Sequence, residues 1–351
     1  MISILKYFLR KLAALSISFL AITAIIFSSL LLFTPKERAS LYLSPNTRNP
    51  AAVERMIAQV IETHHFDDPF DLQYGRWLLN LFRGDWGYSP VYDGNVFDVI
   101  LRYGPASIEL LVYSLVFFIP LGILAGVAAG RRKEGILDLS IRSVAFVANS
   151  LPLFILAFIL LAVFYIALGW FAPNRLSILN ALYIKTQAFY LYTGFMTIDG
   201  FLNKRPDISL DALRHLVLPA FSLSILQWAT LTRITRAAVI DEEKKDYVNA
   251  ALARGLPGSL ITWRHIFRNS LSPVLTASAL MAATLTTELF VVELIFNYEG
   301  MSQLIGSLRG IPDMSAVLGF IVFNIFLSLG LILIFDMLKA WVDPRVREEV
   351  E

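Results

Sequence analysis

The chain alternates between long uncharged apolar runs and shorter charged segments. Six runs, at about 12–33, 110–130, 143–172, 216–232, 270–296 and 314–335, are long and apolar enough to cross a bilayer as helices. Lipid offers no partner to an open backbone group, so these runs must close their hydrogen bonds internally. The run at 143–172 exceeds one upright crossing, which predicts a tilt or an end outside the membrane. Glycines at Gly122, Gly126 and Gly130 form a G-x-x-x-G-x-x-x-G face, a spacing that lets another helix approach closely.

The segments between the runs are unequal. Residues 34–103 are too many for a simple connection and predict a small folded cap. Its stretches 53–65 and 74–82 each have a mixed apolar and polar face, as helices would. Residues 173–214 contain an uncharged aromatic run at 186–198, too short to span, which predicts an interfacial segment. Gly84, Asp85 and Gly87 predict a turn.

The charged island at 233–273 is the most informative segment. Ala250, Ala251, Leu252 and Ala253 are strong helix formers, predicting a helix over 241–254. Gly255 suits its C-terminal cap and Pro257 blocks continuation. A second helix is expected from Ser259 to Leu271, with Pro273 marking the start of the fifth span. Tyr247, Ala250, Ala251 and Arg254 then share one face. A ring, two small residues and a cation suit docking to another protein, whereas a face lying on lipid favours larger apolar residues.

Composition agrees with a membrane protein. The 351 residues are 56% hydrophobic, with mean hydropathy +0.63. A net charge of +2 gives no argument for nucleic acid, and the absence of cysteine removes disulfides and thiol chemistry. With the N-terminus inside, 17 of the 30 lysines and arginines fall in about 81 cytoplasmic residues and 13 in about 135 outer ones. Both termini are therefore placed in the cytoplasm. Lys6, Arg10 and Lys11 precede the first run as they would in a signal peptide. That run is longer than a signal core and no A-x-A site follows it, so a retained anchor is expected.

Candidate chemistry is sparse. Glu288 and Glu293 lie within the fifth run, where acids are costly and usually functional or paired. Glu293, near the outer end, is expected to reach water. Glu288, deeper, either lines a pathway, pairs with a partner or makes a structural hydrogen bond. His215 reads as an interfacial anchor, and the adjacent His64 and His65 do not predict a metal site. No nucleophile–base pair is evident and no G-x-x-x-x-G-K-[ST] loop is present, so neither an enzyme nor a self-contained ATPase is expected.

The island resembles the EAA loop of type I ABC importer permeases and, more narrowly, that of the oligopeptide/dipeptide permease family. The pattern D-Y-V-x-x-A-x-A-x-G followed by R-H-x-x-R-N-x-x-x-P is met by Asp246, Tyr247, Val248, Ala251, Ala253 and Gly255. It continues through Arg264, His265, Arg268, Asn269 and Pro273, with Arg233 and Arg236 fitting upstream. The strings G-D-W-G-Y-S at 84–89 and P-A-S-I-E-L at 105–110 are similar to family motifs. So are Ser150, Pro152 and Phe154, the stretches 215–219 and 293–296, and Asp343, Pro344 and Arg345. Asn297–Glu299 depart from the family's small-residue and proline approach to Gly300, and Met301 and Ser302 replace its leucine and glycine.

The resemblance implies an all-α integral membrane protein of the bacterial cytoplasmic (inner) membrane. It has six transmembrane helices in the type I importer permease fold, N-in and C-in. The implied organisation is an anchor helix at 1–33, an extracytoplasmic cap at 34–103, a transmembrane domain at 104–342 and a tail at 343–351. The implied assembly adds a sister permease in a heterodimer, two cytoplasmic ATPases and an extracytoplasmic solute-binding protein. ATP and magnesium belong to the ATPases, and no cofactor or metal to this chain. The coupling residues carried over are Asp246, Tyr247, Ala250, Ala251, Arg254, Gly255, Arg264, His265, Arg268 and Asn269. Glu288 and Glu293 remain the intramembrane candidates. Peptides are the implied cargo, with nickel chelates or oligosaccharides as alternatives, and a membrane scaffold as a more remote one.

Overall fold

The computed structural model describes residues 2–40, 50–306 and 313–343. Its helices run in the order α1 (Ile2–Leu30), α2 (Pro35–Ser40), α3 (Pro50–His64) and α4 (Phe70–Phe82). A two-stranded antiparallel hairpin, β1 (Tyr88–Ser89) and β2 (Gly94–Asn95), leads into α5 (Val96–Arg131). Then come α6 (Ile136–Asn149), α7 (Leu153–Leu160, prolonged by a π-helical turn at Leu161–Ala167), α8 (Ile178–Tyr183) and α9 (Met196–Leu202). The last part comprises α10 (Pro206–Glu243), α11 (Asp246–Ala253), α12 (Gly258–Leu260), a π turn (Ile261–Phe267), α13 (Arg268–Ile295), α14 (Gln303–Gly306) and α15 (Met314–Val342). Among the described residues, five helices are long and apolar enough to span, and the bent pair α6–α7 supplies up to a sixth.

At 143–172, where the length predicts a tilt or an end outside the membrane, the chain is bent rather than simply tilted. α6 and α7 meet at 102°. Pro152 has no N–H to continue the ladder and pushes Leu151 out of the helical region, so the chain must turn there. The hydroxyl of Ser150 closes the end of α6 by donating to Phe146 O at 2.7 Å. Ser150 and Pro152 thus carry the bend itself.

The chain forms two compact units, and some helices contribute to both. The larger comprises Met1–Leu12, Ala106–Glu299 and Leu327–Glu351. Its core joins α5, α7, α10 and α13 through side chains such as Leu110, Phe118, Leu223, Leu231, Leu285 and Val292. The glycine face of α5 meets Leu231, Thr235 and Val239 of α10. A Cβ on Gly126 would stand 2.8 Å from Thr232 O, so only glycine permits this approach. In the outer loop, Phe189 and Met196 are buried with Leu176, Ile208 and Ala212, while Tyr190, Leu191 and Tyr192 stay exposed. The aromatic run at 186–198 is therefore partly a small core and only partly a surface segment.

The smaller unit comprises Ala13–Pro105 and Gly300–Phe326. α3 and α4 fall where the mixed-face stretches predict helices, each starting a few residues early. Phe27, Phe70, Tyr74 and Trp77 form an aromatic cluster. Buried Arg38 donates to Gln73 Oε1 and Phe66 O, both at 2.8 Å. Gly84 and Gly87 take positive φ, and Gly87 N donates to Asp85 Oδ1 at 3.1 Å, forming the expected turn ahead of the hairpin. Val96, Val99, Ile100, Met301, Leu304 and Ala316 make the core of this unit.

Candidate functional site

The charged island departs from the simple pattern of helix, turn, helix. α10 does not stop at the membrane edge but runs 38 residues to Glu243, held to the end of α5 by an ion pair from Arg131. Lys244 and Lys245 break it, and α11 begins at Asp246. The expected helix over 241–254 is therefore the tail of α10 plus a separate short helix. Downstream, the chain from Gly258 to Ile295 is continuously helical, with Pro273 inside α13 rather than at its start. The π turn at Ile261–Phe267 shifts the helix phase and buries Ile261, Thr262 and Ile266. This leaves Arg264 and Arg268 exposed.

Gly255 ends α11 as predicted, and the geometry says why. Its φ is +73°, Gly255 N donates to Leu252 O at 2.9 Å, and Leu256 N donates to Ala251 O at 3.3 Å. These two bonds define a Schellman cap, with Leu256 packing back on the small core of α11. No atom lies within 4 Å of the place a Cβ would occupy. Glycine is favoured here for its backbone conformation, not for space.

The face drawn from sequence is only partly exposed. Ala251 is buried with Val248 against Val127, Val239, Ile261 and Ile266. It holds α11 on the body of the protein rather than presenting it outward. Tyr247 is half-buried, and its hydroxyl donates to Glu242 across the helix break. Burial, then the bond to Glu242, pushes this phenol's pKa up, while Asn269 acts in the opposite direction. The residues left exposed are Asp246, Ala250, Leu252, Ala253, Arg254 and Gly255, beside Trp263, Arg264, Arg268 and Asn269. His265 is half-buried. Among the described residues, Arg254, Arg264 and Arg268 take part in no ion pair. The exposed surface is cationic, with two large apolar side chains, and its charges are not spent internally.

A second polar site, missed from the sequence, lies at the outer end of α5. Glu109 is fully buried and accepts from Arg175 at 2.6 Å, from Thr197 N at 2.9 Å and Oγ1 at 2.7 Å, and from Tyr298 OH at 3.3 Å. One carboxylate thus joins α5, the loop after α7, the start of α9 and the end of α13. Burial works against the Arg175 charge, but Tyr298 and Glu109 outweigh it and hold the guanidinium pKa above its ordinary value. Burial pushes the Tyr298 phenol far up, keeping it a neutral donor. The signal in sequence was the P-A-S-I-E-L string, whose serine and acid are both engaged here. Ser107 donates to Glu293.

This bond overturns the expectation that Glu293 reaches water. It is 1% exposed and shares the buried polar layer. His215 is buried too, with Nδ1 2.9 Å from Asp211 O, and is not an interfacial anchor. Glu288 is half-buried and accepts from Gln227 Nε2 at 3.2 and 3.3 Å. The departure at Asn297 also has a physical account. Asn297 has φ +49°, Tyr298 N donates to Glu293 O at 2.8 Å and Asn297 N to Leu294 O at 3.3 Å. α13 therefore ends in a second Schellman cap, with asparagine in the left-handed position. Of the Asp343, Pro344, Arg345 string, the last two residues lie outside those described.

Comparison with known proteins draws these features together. A family model described as "Binding-protein-dependent transport system inner membrane component" matches residues 119–348. The chain is 30% identical over 346 residues to the di/tripeptide transport system permease protein DppB of Pseudomonas aeruginosa, covering 98% of this chain and 99% of that protein. It is 31% identical to the oligopeptide transport system permease protein AppB of Bacillus subtilis, covering 82% and 84%. To the probable D,D-dipeptide transport system permease protein DdpB of Escherichia coli it is 30% identical, covering 84% and 85%. With its bundle of spans and its cytoplasmic helix on a glycine cap, the chain belongs to the family of inner-membrane permease components of binding-protein-dependent transport systems.

Proposed function

We propose that this chain forms half of the translocation pathway of an ATP-driven peptide importer, with its exposed α11 surface as the seat for a separate cytoplasmic ATPase. The observation that carries the reading is the unspent cationic patch of Arg254, Arg264 and Arg268 around a short helix fixed to the body by Val248 and Ala251. A helix held this way moves with whatever binds it and passes that movement to α10 and α13. The relatives named for di/tripeptide and oligopeptide transport support peptides as cargo. A sister permease, two ATPases with ATP and magnesium, and an extracytoplasmic binding protein complete the proposed machine. Coupling then requires two global states whose contacts differ at both ends.

Gly255 gives the test. A side chain there meets no clash and is opposed only by the left-handed backbone, at about 1–2 kcal/mol. That is too little to unfold a domain, but enough to redirect the turn that sets the helix angle. Gly255→Asp is expected to insert in normal amounts and to lose ATP-driven peptide uptake. Wild-type uptake by this variant would sink the coupling role. Purification from native membranes should bring down a second permease and ATPase subunits, and recovery of the chain alone would sink the assembly.

A further inference from the structure

α6 and α10 enclose a groove of about 470 Å³ that the transport reading does not use. Asp138 of α6 pairs in a fork with Arg236 of α10, at 2.6 and 2.7 Å. Ala145 and Ala148 of α6 pack with Ala229 of α10. The two helices are therefore antiparallel, and Arg142 stands at the level of Thr232 and Arg233. From this level toward the membrane centre the lining is mostly apolar, with Ala145, Phe146, Val147 and Ala229 beside the polar Ser143 and Asn149. At the cytoplasmic end the lining holds Arg142, Arg233 and Arg236 and no carboxylate. Arg236 is neutralised by Asp138; Arg142 and Arg233 are exposed and form no salt bridge among the described residues. Thr232, also in the lining, is 2% exposed, and its Oγ1 has no hydrogen-bond partner.

We propose that this groove is a binding site for an anionic phospholipid of the cytoplasmic leaflet. The apolar walls take the start of an acyl chain, and the phosphate sits between Arg142 and Arg233. A χ1 rotation of Thr232 gives its orphaned hydroxyl an acceptor. A protein surface covering the groove would have to bring carboxylates to membrane depth, which is costly. Anionic lipids carry their charge at the depth where basic side chains near the cytoplasmic surface already lie. The site is independent of the cargo, so it stands or falls separately from the peptide reading.

Native mass spectrometry of the purified transporter complex tests it, with phosphatidylglycerol and phosphatidylcholine supplied in equal amounts. The wild-type complex is expected to retain phosphatidylglycerol in preference by about tenfold. In Arg142→Gln/Arg233→Gln the preference should fall to parity, and in Arg142→Lys/Arg233→Lys most of it should remain. Equal retention of both lipids by wild type, or an unchanged preference in the glutamine variant, overturns the proposal. Displacement of the lipid by millimolar inorganic phosphate would make this a simple anion site and overturn it too. The chain has no cysteine, so Phe146→Cys gives a single reporter. Its cross-linking to a photoactivatable phosphatidylglycerol supports the site, and its cross-linking to a second permease in native membranes replaces it with a protein interface.

Discussion

The surroundings of Gly255 and of Asn297 use the same local device and spend charge in opposite ways. Each is a helix end closed by a Schellman cap with one residue at positive φ. Beyond the Asn297 cap, Tyr298 enters a sealed layer where Glu109 meets Arg175, Thr197 and Tyr298, and Glu293 meets Ser107. Beside the Gly255 cap, Arg254, Arg264 and Arg268 stay in solvent without a carboxylate partner. A buried charge must be answered within the chain, because an unanswered one in low dielectric is costly. An exposed charge can be left for another molecule to answer. The same cap thus closes a structural joint in one place and frames the proposed docking surface in the other.

The largest expected effect tests the sealed half of this contrast. Arg175→Met leaves the carboxylate of Glu109 buried without its cation, at a cost of about 3–5 kcal/mol. Thermal unfolding of the purified transporter in detergent should show a clear fall in Tm. An unchanged Tm would mean that the layer is not held together as a charge network. A middle-sized effect compares the caps themselves. Gly255→Ala adds a side chain in the left-handed region and should cost about 1 kcal/mol, whereas Asn297→Gly relieves it and should be neutral or stabilising on the same scale. Equal losses at both positions would show that the Asn297 side chain, which bonds Asn174, contributes more than its backbone conformation. The smallest stability effect belongs to Arg254→Gln, within about 0.5 kcal/mol, since the residue is exposed and unpaired. Peptide-stimulated ATP turnover of the complex should nonetheless fall. A large drop in Tm with intact turnover would move Arg254 from the docking surface to the framework.

Much of the inner surface was legible because its signals are local. Gly255 and Pro257 announce the cap, and the alanines announce the helix. The sequence misplaced Ala251 because helical spacing groups residues onto a face without saying what lies opposite. Val127, Val239, Ile261 and Ile266 decide that, and they come from three other segments. The π turn at Ile261–Phe267 was hidden for a related reason. An added residue per turn has no propensity signature, and only packing reveals the changed phase. Glu293 was misread because proximity to the end of an apolar run suggests water, while Ser107, nearly two hundred residues away in the chain, supplies the actual partner.

Apolar run length, lysine and arginine asymmetry and the glycine and proline positions determined by themselves that this is a helical membrane protein, which way it faces, and where a cytoplasmic helix must stop. Those properties follow from backbone hydrogen bonding in lipid and from steric limits on φ, which act within a few residues. The tertiary structure alone decided which charges are consumed and which remain available. That choice depends on distant segments arriving at one carboxylate: Arg175, Thr197 and Tyr298 at Glu109, and Arg236 at Asp138. Electrostatic satisfaction is a property of three-dimensional neighbours, and spacing along the chain does not encode it.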